Sequence, residues 1–141
     1  MFTVFVIAVG SALIISAACS LFESVLMSVS PLQVEMMTEN HPAKAGTLKQ
    51  FKEHIDQPIT AILTLNTLAH TIGASVAGAA ASVLFGQQGL IWFSLVFTVA
   101  ILLFTEILPK TLGVNYSRQL APYIVPPLQA MIFLLKPLIR L

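Results

Sequence analysis

Charge is what this sequence has least of. Only 9% of its 141 residues are Asp, Glu, Lys or Arg, whereas a soluble domain carries about 25%. Hydrophobic residues make up 57% of the chain, and its mean hydropathy is +0.90. The formal net charge is +1, and the sequence has no basic run that could follow a phosphate backbone. The composition therefore predicts an integral membrane protein and argues against a nucleic-acid-binding domain.

Cysteine and catalytic motifs are also scarce. The single cysteine, Cys19, excludes an internal disulfide framework and a cysteine-built metal cluster. The three histidines and six acidic residues show no metalloprotease or hydrolase spacing, and no serine lies in a G-x-S-x-G elbow. We therefore do not expect an enzyme. The first charged residue is Glu23, so the apolar N-terminus lacks the basic region of a secretory signal and is predicted to be a permanent span.

Long uncharged runs predict three transmembrane helices. A bilayer core needs about 20 apolar residues per helix, and the first run gives a span at about 2–27. The run that follows Asp56 is long enough for two spans, at about 58–84 and 90–112. The polar turn FGQQG (85–89) separates them. We expect an all-α integral membrane fold.

Two further stretches are predicted to be helices at the membrane surface. In the first, about 31–56, SPLQ gives a helix cap at Ser30; a solvated loop helix is the alternative. The second, about 117–141, is apolar but contains four prolines. We expect a broken, embedded or interfacial helix there that returns to its starting side. As a fourth span it would carry Lys136 and Arg140 outward, against the positive-inside rule.

The distribution of basic residues sets the expected orientation. The loop between the first two spans carries Lys44, Lys49 and Lys52. Lys110 and Arg118 follow the third span, and the 85–89 turn has no basic residue. We therefore expect the N-terminus outside, with the long loop and the C-terminus in the cytoplasm, in a bacterial inner membrane.

Several polar side chains are predicted to lie at membrane depth, where each needs a partner. On the first span, Ser16, Ser20 and Glu23 share one face because of their helical spacing. On the second span, Asn66 and His70 lie one turn apart. A stripe of threonines follows the same helix: Thr60, Thr64, Thr67 and Thr71. Ser and Thr in membrane helices often hydrogen-bond to their own backbone or to a neighbouring helix, and we expect this of most of the threonines. His70 is expected to be an interhelical hydrogen-bond donor.

The segment FTEILPKTLG (104–113) combines a carboxylate with a helix breaker at the end of the third span. A charged acid at membrane depth is costly unless it is paired, protonated or hydrated. An ion pair with Lys110, one turn on, would place Glu106 at the interface. Pro109 favours another interpretation, because it lacks an N–H and leaves the Thr105 carbonyl without its helical donor.

The residues around Glu106 can form a cation site. Freed carbonyls in interrupted membrane helices line cavities and coordinate cations. Asn66 and Ser20 can add neutral oxygens to the carboxylate and the carbonyl. Hard oxygen ligands without soft ones favour Mg²⁺, Ca²⁺ or Na⁺ over zinc or copper. We therefore prefer a cation site at Glu106 and interpret Lys110 as the cytoplasmic anchor of the third span.

Three segments of the chain match the motifs of a known family. TEILPKTLG (105–113) is similar to a G-E-I-x-P-K segment, and ILTLNTLAHTIGAS (62–75) is similar to an I-L-x-x-N-T-x-x-N segment. SLFESVLMSVS (20–30) is similar to an S-G-S-E-T-A-L-x-S segment. With these motifs the chain resembles the transmembrane domain (DUF21) of the CorC/CNNM proteins over nearly its whole length. The resemblance implies transport or efflux of magnesium and cobalt.

By position, the resemblance implies that the family's cation site falls on Ser20, Asn66 and Glu106. Neighbouring polar residues form a second tier: Glu23, Thr67 and Thr105. The chain also departs from the motifs at four positions. Leu21 stands where Gly is usual, and Phe22 stands where Ser is usual. His70 stands where Asn is usual, and Thr105 stands where Gly is usual. The ligand set and the ion preference can therefore differ from those of the family.

The expected function is transport of divalent cations, with Mg²⁺ foremost and Na⁺ possible. The run GASVAGAAAS (73–82) predicts close helix packing, within the subunit or across a dimer. We expect a homodimer in the bilayer. The resemblance implies cytoplasmic CBS domains as partners; we identify none in these residues.

Two alternatives to this function stay open. One is a dimeric membrane anchor for a regulatory domain, with Glu106 merely paired to Lys110; the other is a transporter of another solute coupled to Na⁺ or H⁺.

Overall fold

The computed structural model describes residues 2–139, and within that range the chain is helical without a strand. Its elements are α1 (Phe2–Ser28), α2 (Pro31–Met37), α3 (Pro42–Glu53), α4 (Asp56–Ile101), a π-helical segment (Leu102–Ile107), α5 (Leu108–Asn115) and α6 (Ser117–Ile139). Three helical stretches are long and apolar enough to cross a membrane: Phe2–Ser28, Asp56–Asn115 and Ser117–Pro137. The predicted all-α integral membrane fold is confirmed.

The second of these stretches is a hairpin, because Gly86 reverses the chain inside it. Gly86 has φ 74° and ψ −174°, a conformation in the left-handed region that glycine adopts without the steric cost of a Cβ. It lies in the predicted polar turn. We call residues 56–85 the first leg and residues 87–115 the second leg. The expected spans 58–84 and 90–112 fall one in each leg.

Contacts with α1 establish how the two legs run. Ser16 contacts Asn66 in the first leg, and Ser24 contacts Lys110 in the second. In a straight helix Asn66 and Lys110 would be about 66 Å apart, whereas Ser16 and Ser24 are about 12 Å apart on α1. The Phe5 ring also packs edge-on against rings on both sides of Gly86. The first leg is therefore antiparallel to α1 and the second leg is parallel to it.

The short helices α2 and α3 pack beneath this bundle. The predicted cap of α2 is confirmed: Gln33 N donates to Ser30 Oγ at 3.2 Å, and Ser30 N donates to Gln33 Oε1 at 3.0 Å. Val34 of α2 and Leu48 of α3 are buried in the same apolar cluster as the C-terminal half of α1, the start of the first leg and α6. The two helices are therefore part of the fold.

The expected break in the last helix is wrong, because α6 runs through Ser117–Ile139 as one helix with four prolines inside it. An interior proline costs about 3 kcal/mol in a helix. Packing opposes that cost, since one side of α6 is fully buried against the core at Ala121, Ile124, Val125 and Leu128. Arg140 and Leu141, the end of the expected 117–141 stretch, lie outside the described residues. The side on which α6 ends stays a prediction.

The outer surface of the bundle is apolar. Ile14 on α1, Trp92 on the second leg and Phe133 on α6 are 71%, 69% and 77% exposed. Large contiguous apolar surfaces are uncommon on soluble monomers. The exposed apolar surface, like the helix lengths, implies a lipid bilayer as its environment.

Candidate functional site

A stripe of three buried serines on α1 faces both legs of the hairpin. Ser16, Ser20 and Ser24 are spaced at i, i+4 and i+8, so they lie on one face of the helix. They are 0%, 1% and 7% exposed. Ser16 bonds to the first leg and Ser24 bonds to the second, so the stripe joins α1 to both. Sequence reasoning named Ser16 and Ser20 but missed Ser24, although its spacing continues the series.

Ser20, the central member of the stripe, differs from its neighbours because its hydroxyl has no partner. Within residues 2–139, Ser20 Oγ is the one fully buried side-chain polar atom that makes no hydrogen bond. A buried polar group left without a partner costs about 1–3 kcal/mol. Buried polar groups without protein partners commonly hydrogen-bond to a water molecule or bind an ion. Ser20, a residue predicted for the cation site, therefore has an oxygen available for a ligand.

Asn66 lies about one helical turn from Ser20. Ser16 Oγ is 2.6 Å from Asn66 Oδ1 and 2.5 Å from His70 Nε2. His70 thus makes an interhelical hydrogen bond, as expected. Asn66 is half-buried, whereas the second-tier Thr67 is exposed.

Glu106 is paired along its own helix. Its carboxylate lies 3.1 Å from Lys110 Nζ, and the two side chains are 30% and 48% exposed. The expectation that Lys110 is not the partner of Glu106 is therefore wrong, since the two side chains lie one turn apart and the half-exposed carboxylate takes the nearest cation. The role of Lys110 as the cytoplasmic anchor of the third span stays a prediction. Within residues 2–139 the polar partner of Glu106 is Lys110, and the structure records no bond from it to Ser20 or Asn66.

The backbone around Glu106 is π-helical. Leu108 N–H donates to the Leu103 carbonyl, five residues back, and Pro109 has no N–H to donate. The carbonyls of Phe104 and Thr105 therefore both lose their usual donors at i+4. The Thr105 side chain is fully buried and donates to the Ile101 carbonyl at 2.6 Å. π-helical turns inside α-helices are frequent at functional sites.

Ser20 lies at the level of Glu106 because α1 and the second leg run in the same direction. Ser24 Oγ donates to the Lys110 carbonyl at 2.7 Å, and one turn earlier on each helix come Ser20 and Glu106. Gly113 permits this close approach, since a Cβ there would collide with Ser24. Glu23 lies on α1 between the two serines and is half-buried.

The candidate site thus consists of oxygen atoms around Ser20. The Glu106 carboxylate and the freed carbonyls of Phe104 and Thr105 lie near its level on the second leg, and the Asn66 amide, about one turn away on the first leg, is bonded to Ser16. Among residues 2–139 no group of three or more His, Cys, Asp and Glu side chains is placed to hold a metal. A site here would use one acid and neutral oxygens, a set that suits hard cations.

Comparison with known proteins places the chain among membrane domains. The model of the family described as the cyclin M transmembrane N-terminal domain matches residues 6–141. The UPF0053 protein sll1254 of Synechocystis sp. is 29% identical over 138 residues, which cover 98% of this chain and 38% of that protein. The DUF21 domain-containing protein At1g55930, chloroplastic, of Arabidopsis thaliana is 29% identical over 126 residues, or 89% of this chain.

A second Arabidopsis protein, the putative DUF21 domain-containing protein At3g13070, chloroplastic, is 27% identical over 127 residues, which cover 90% of this chain. The match covers 19% of each Arabidopsis protein. The chain therefore spans less than two fifths of the length of the curated relatives it matches.

Proposed function

Because the chain belongs to the family of the cyclin M transmembrane N-terminal domain, we propose that it moves divalent cations, with Mg²⁺ as the cargo, across the membrane that its helices span. The ion passes a site formed by Ser20, Asn66 and Glu106. Thr105 and Glu23 act in a second tier, Thr105 through its freed carbonyl and Glu23 by attracting the ion. Thr67, whose side chain is exposed, completes that tier.

The observation that carries this proposal is the buried hydroxyl of Ser20 without a partner. A ligand at this position would offset the cost of burying the unpaired hydroxyl. The freed carbonyls of Phe104 and Thr105 at the same level add to the case, since carbonyls of interrupted membrane helices coordinate cations. Mg²⁺ keeps several of its water molecules and needs few protein ligands.

Glu106 supplies the negative charge in this mechanism. In the structure its charge is balanced by Lys110 at 3.1 Å. An ion pair between residues one turn apart is weak where water reaches it, as at the end of a span, and contributes about 0.3–0.5 kcal/mol there. A divalent cation at Ser20 can therefore compete with Lys110 for the carboxylate. Rearrangement of the second leg near Pro109 then opens the site to the other side of the membrane.

Flux measurements test the proposal. The protein is reconstituted into liposomes that contain a Mg²⁺-sensitive dye. We expect Mg²⁺ flux in the wild type and loss of flux in Glu106→Gln, which keeps the shape but removes the charge. Glu53→Gln, on the exposed end of α3, is the matched control and should retain flux. Equal flux in the Glu106→Gln variant and the control would show that the carboxylate is not needed.

The second candidate function is a membrane anchor for a cytoplasmic regulatory domain. The observation that favours it is the Glu106–Lys110 ion pair, which accounts for the carboxylate without any ion. The anchor function predicts that Mg²⁺ and Na⁺ give no protection against thermal unfolding. Transport through a bound ion predicts that the melting temperature rises with the logarithm of the Mg²⁺ concentration once this exceeds the dissociation constant.

The proposal includes an arrangement in the cell. The N-terminus lies outside and the C-terminus lies in the cytoplasm of a bacterial inner membrane, in a homodimer with CBS domains as cytoplasmic partners. The positions of the basic residues support the orientation. Labelling of single cysteines introduced at the 85–89 turn and in α3 would test it, since the two positions should react from opposite sides.

A further inference from the structure

Three side chains between α1 and the first leg form a hydrogen-bonded chain. Ser16 lies in the middle, fully buried, with Asn66 Oδ1 at 2.6 Å and His70 Nε2 at 2.5 Å. Asn66 and His70 are one turn apart on the same helix, so both reach the one hydroxyl. Neither the mechanism above nor the ligand set uses Ser16 or His70.

The direction of this chain follows from counting protons. A serine hydroxyl has one proton, and Ser16 donates it to Asn66 Oδ1. The contact with His70 must then be made by a proton on Nε2, because two lone pairs facing each other at this distance would repel. The chain therefore runs from His70 through Ser16 to Asn66, and the Asn66 amide oxygen is turned towards Ser16.

A cation at Ser20 needs the hydrogen bonds of this chain to run in the opposite direction, from Asn66 to His70. It binds an amide through the oxygen, not through the NH₂ group, so Asn66 must turn its oxygen from Ser16 towards Ser20. The NH₂ group then donates to Ser16, and Ser16 donates to His70 Nε2. His70 can accept only if its proton leaves Nε2, which a neutral imidazole achieves by losing that proton and gaining one at Nδ1, with no net change in charge.

We infer that His70 is a positioning residue whose tautomer, acting through Ser16, sets which end of the Asn66 amide faces the cation. This inference rests on the proposed function, since it regulates the same site. An aromatic ring without nitrogen at position 70 cannot accept a hydrogen bond. Ser16 would then keep donating to Asn66 Oδ1 and hold the oxygen away from the ion.

Magnesium affinity of purified full-length variants, measured by calorimetry, tests the inference. His70→Phe should weaken binding about tenfold, the equivalent of one buried hydrogen bond. His70→Gln should restore it, because an amide can donate or accept. Adding Ser16→Ala to His70→Phe should also recover affinity, since Asn66 is then no longer held. A purely structural role predicts the reverse, because two lost interhelical contacts loosen the interface more than one.

The tautomer is read directly by ¹⁵N NMR of the ring nitrogens, with the His70 signal assigned through its loss in His70→Gln. We expect the proton on Nε2 before Mg²⁺ is added and on Nδ1 at saturation. Magnesium binding with an unchanged His70 tautomer would overturn this inference and leave the proposed function standing. Absence of any Mg²⁺ binding in the wild type would overturn both.

Discussion

Replacing Ser20 by alanine should stabilise the protein in the absence of divalent cations. The change removes a 1% exposed hydroxyl without a partner, and the penalty for such a group is about 1–3 kcal/mol. Ser24→Ala is the matched control, one turn away on the same face. Its hydroxyl donates to the Lys110 carbonyl at 2.7 Å, so its removal should cost about 1 kcal/mol. The two substitutions should therefore have opposite signs.

Thermal unfolding in detergent measures both variants, first in a chelator and then in Mg²⁺. In the chelator Ser20→Ala should melt above the wild type and Ser24→Ala below it. In Mg²⁺ the wild type and Ser24→Ala should gain stability, whereas Ser20→Ala should gain less because a ligand is missing. If Ser20→Ala melts below the wild type in the chelator, its hydroxyl has a partner and the argument for a ligand at Ser20 fails.

Three further substitutions test the hairpin, the junction beneath it and the ion pair. Gly86→Ala should destabilise the protein by about 1–3 kcal/mol, because φ 74° with ψ −174° is a conformation that essentially only glycine adopts. Gly78→Ala, in open space on the first leg, should be neutral or stabilising by up to about 1 kcal/mol, and equal melting temperatures of the two variants would contradict the hairpin. Lys52→Met should lower the free energy of unfolding by about 1.5–3 kcal/mol, since the ammonium group donates to two carbonyls at the end of α1 at 2.6 and 3.1 Å. The control Lys49→Met, at an exposed position, should lower it little, and chemical denaturation of both variants measures the difference. Lys110→Met should tighten Mg²⁺ binding about twofold, because it releases the Glu106 carboxylate from its ion pair. Unchanged or weaker binding in calorimetry would contradict competition between Lys110 and the cation for that carboxylate.

Local sequence signals predicted much of the fold. The turn at 85–89 followed from glycines and amides inside an uncharged run, and Gly86 has the left-handed φ that only glycine adopts readily. The cap at Ser30 followed from the spacing of Ser, Pro and Gln. In both cases the residues that determine the conformation are close in sequence.

Predictions that depended on contacts between helices were less successful. Prolines predicted a break in α6, but packing of one side of the helix keeps it continuous. The π-helical segment shifts the hydrogen-bond register, so the Phe104 carbonyl is freed as well as that of Thr105. Pro109 alone predicts only the free carbonyl of Thr105. Membrane helices that contain proline commonly adjust to local π or 3₁₀ geometry. Pro109 was therefore the sequence signal from which the π-helical segment could have been predicted.

The candidate site shows the same division. The polar faces that carry Ser20, Asn66 and Glu106 follow from helical spacing. The partner of each side chain does not, because it depends on the register between helices. Lys110 pairs with Glu106, and Ser16 instead of Ser20 takes the Asn66 oxygen.

The most direct test is a crystal or cryo-EM map of the protein in Mg²⁺. The proposal predicts density between Ser20 Oγ, Asn66 Oδ1 and the Glu106 carboxylate, at about 2.0–2.1 Å from direct oxygen ligands or one water molecule further away. It also predicts that Glu106 has moved from Lys110 towards the ion. A map in saturating Mg²⁺ that shows no ion beside Ser20, with Glu106 still on Lys110, would contradict the proposed site.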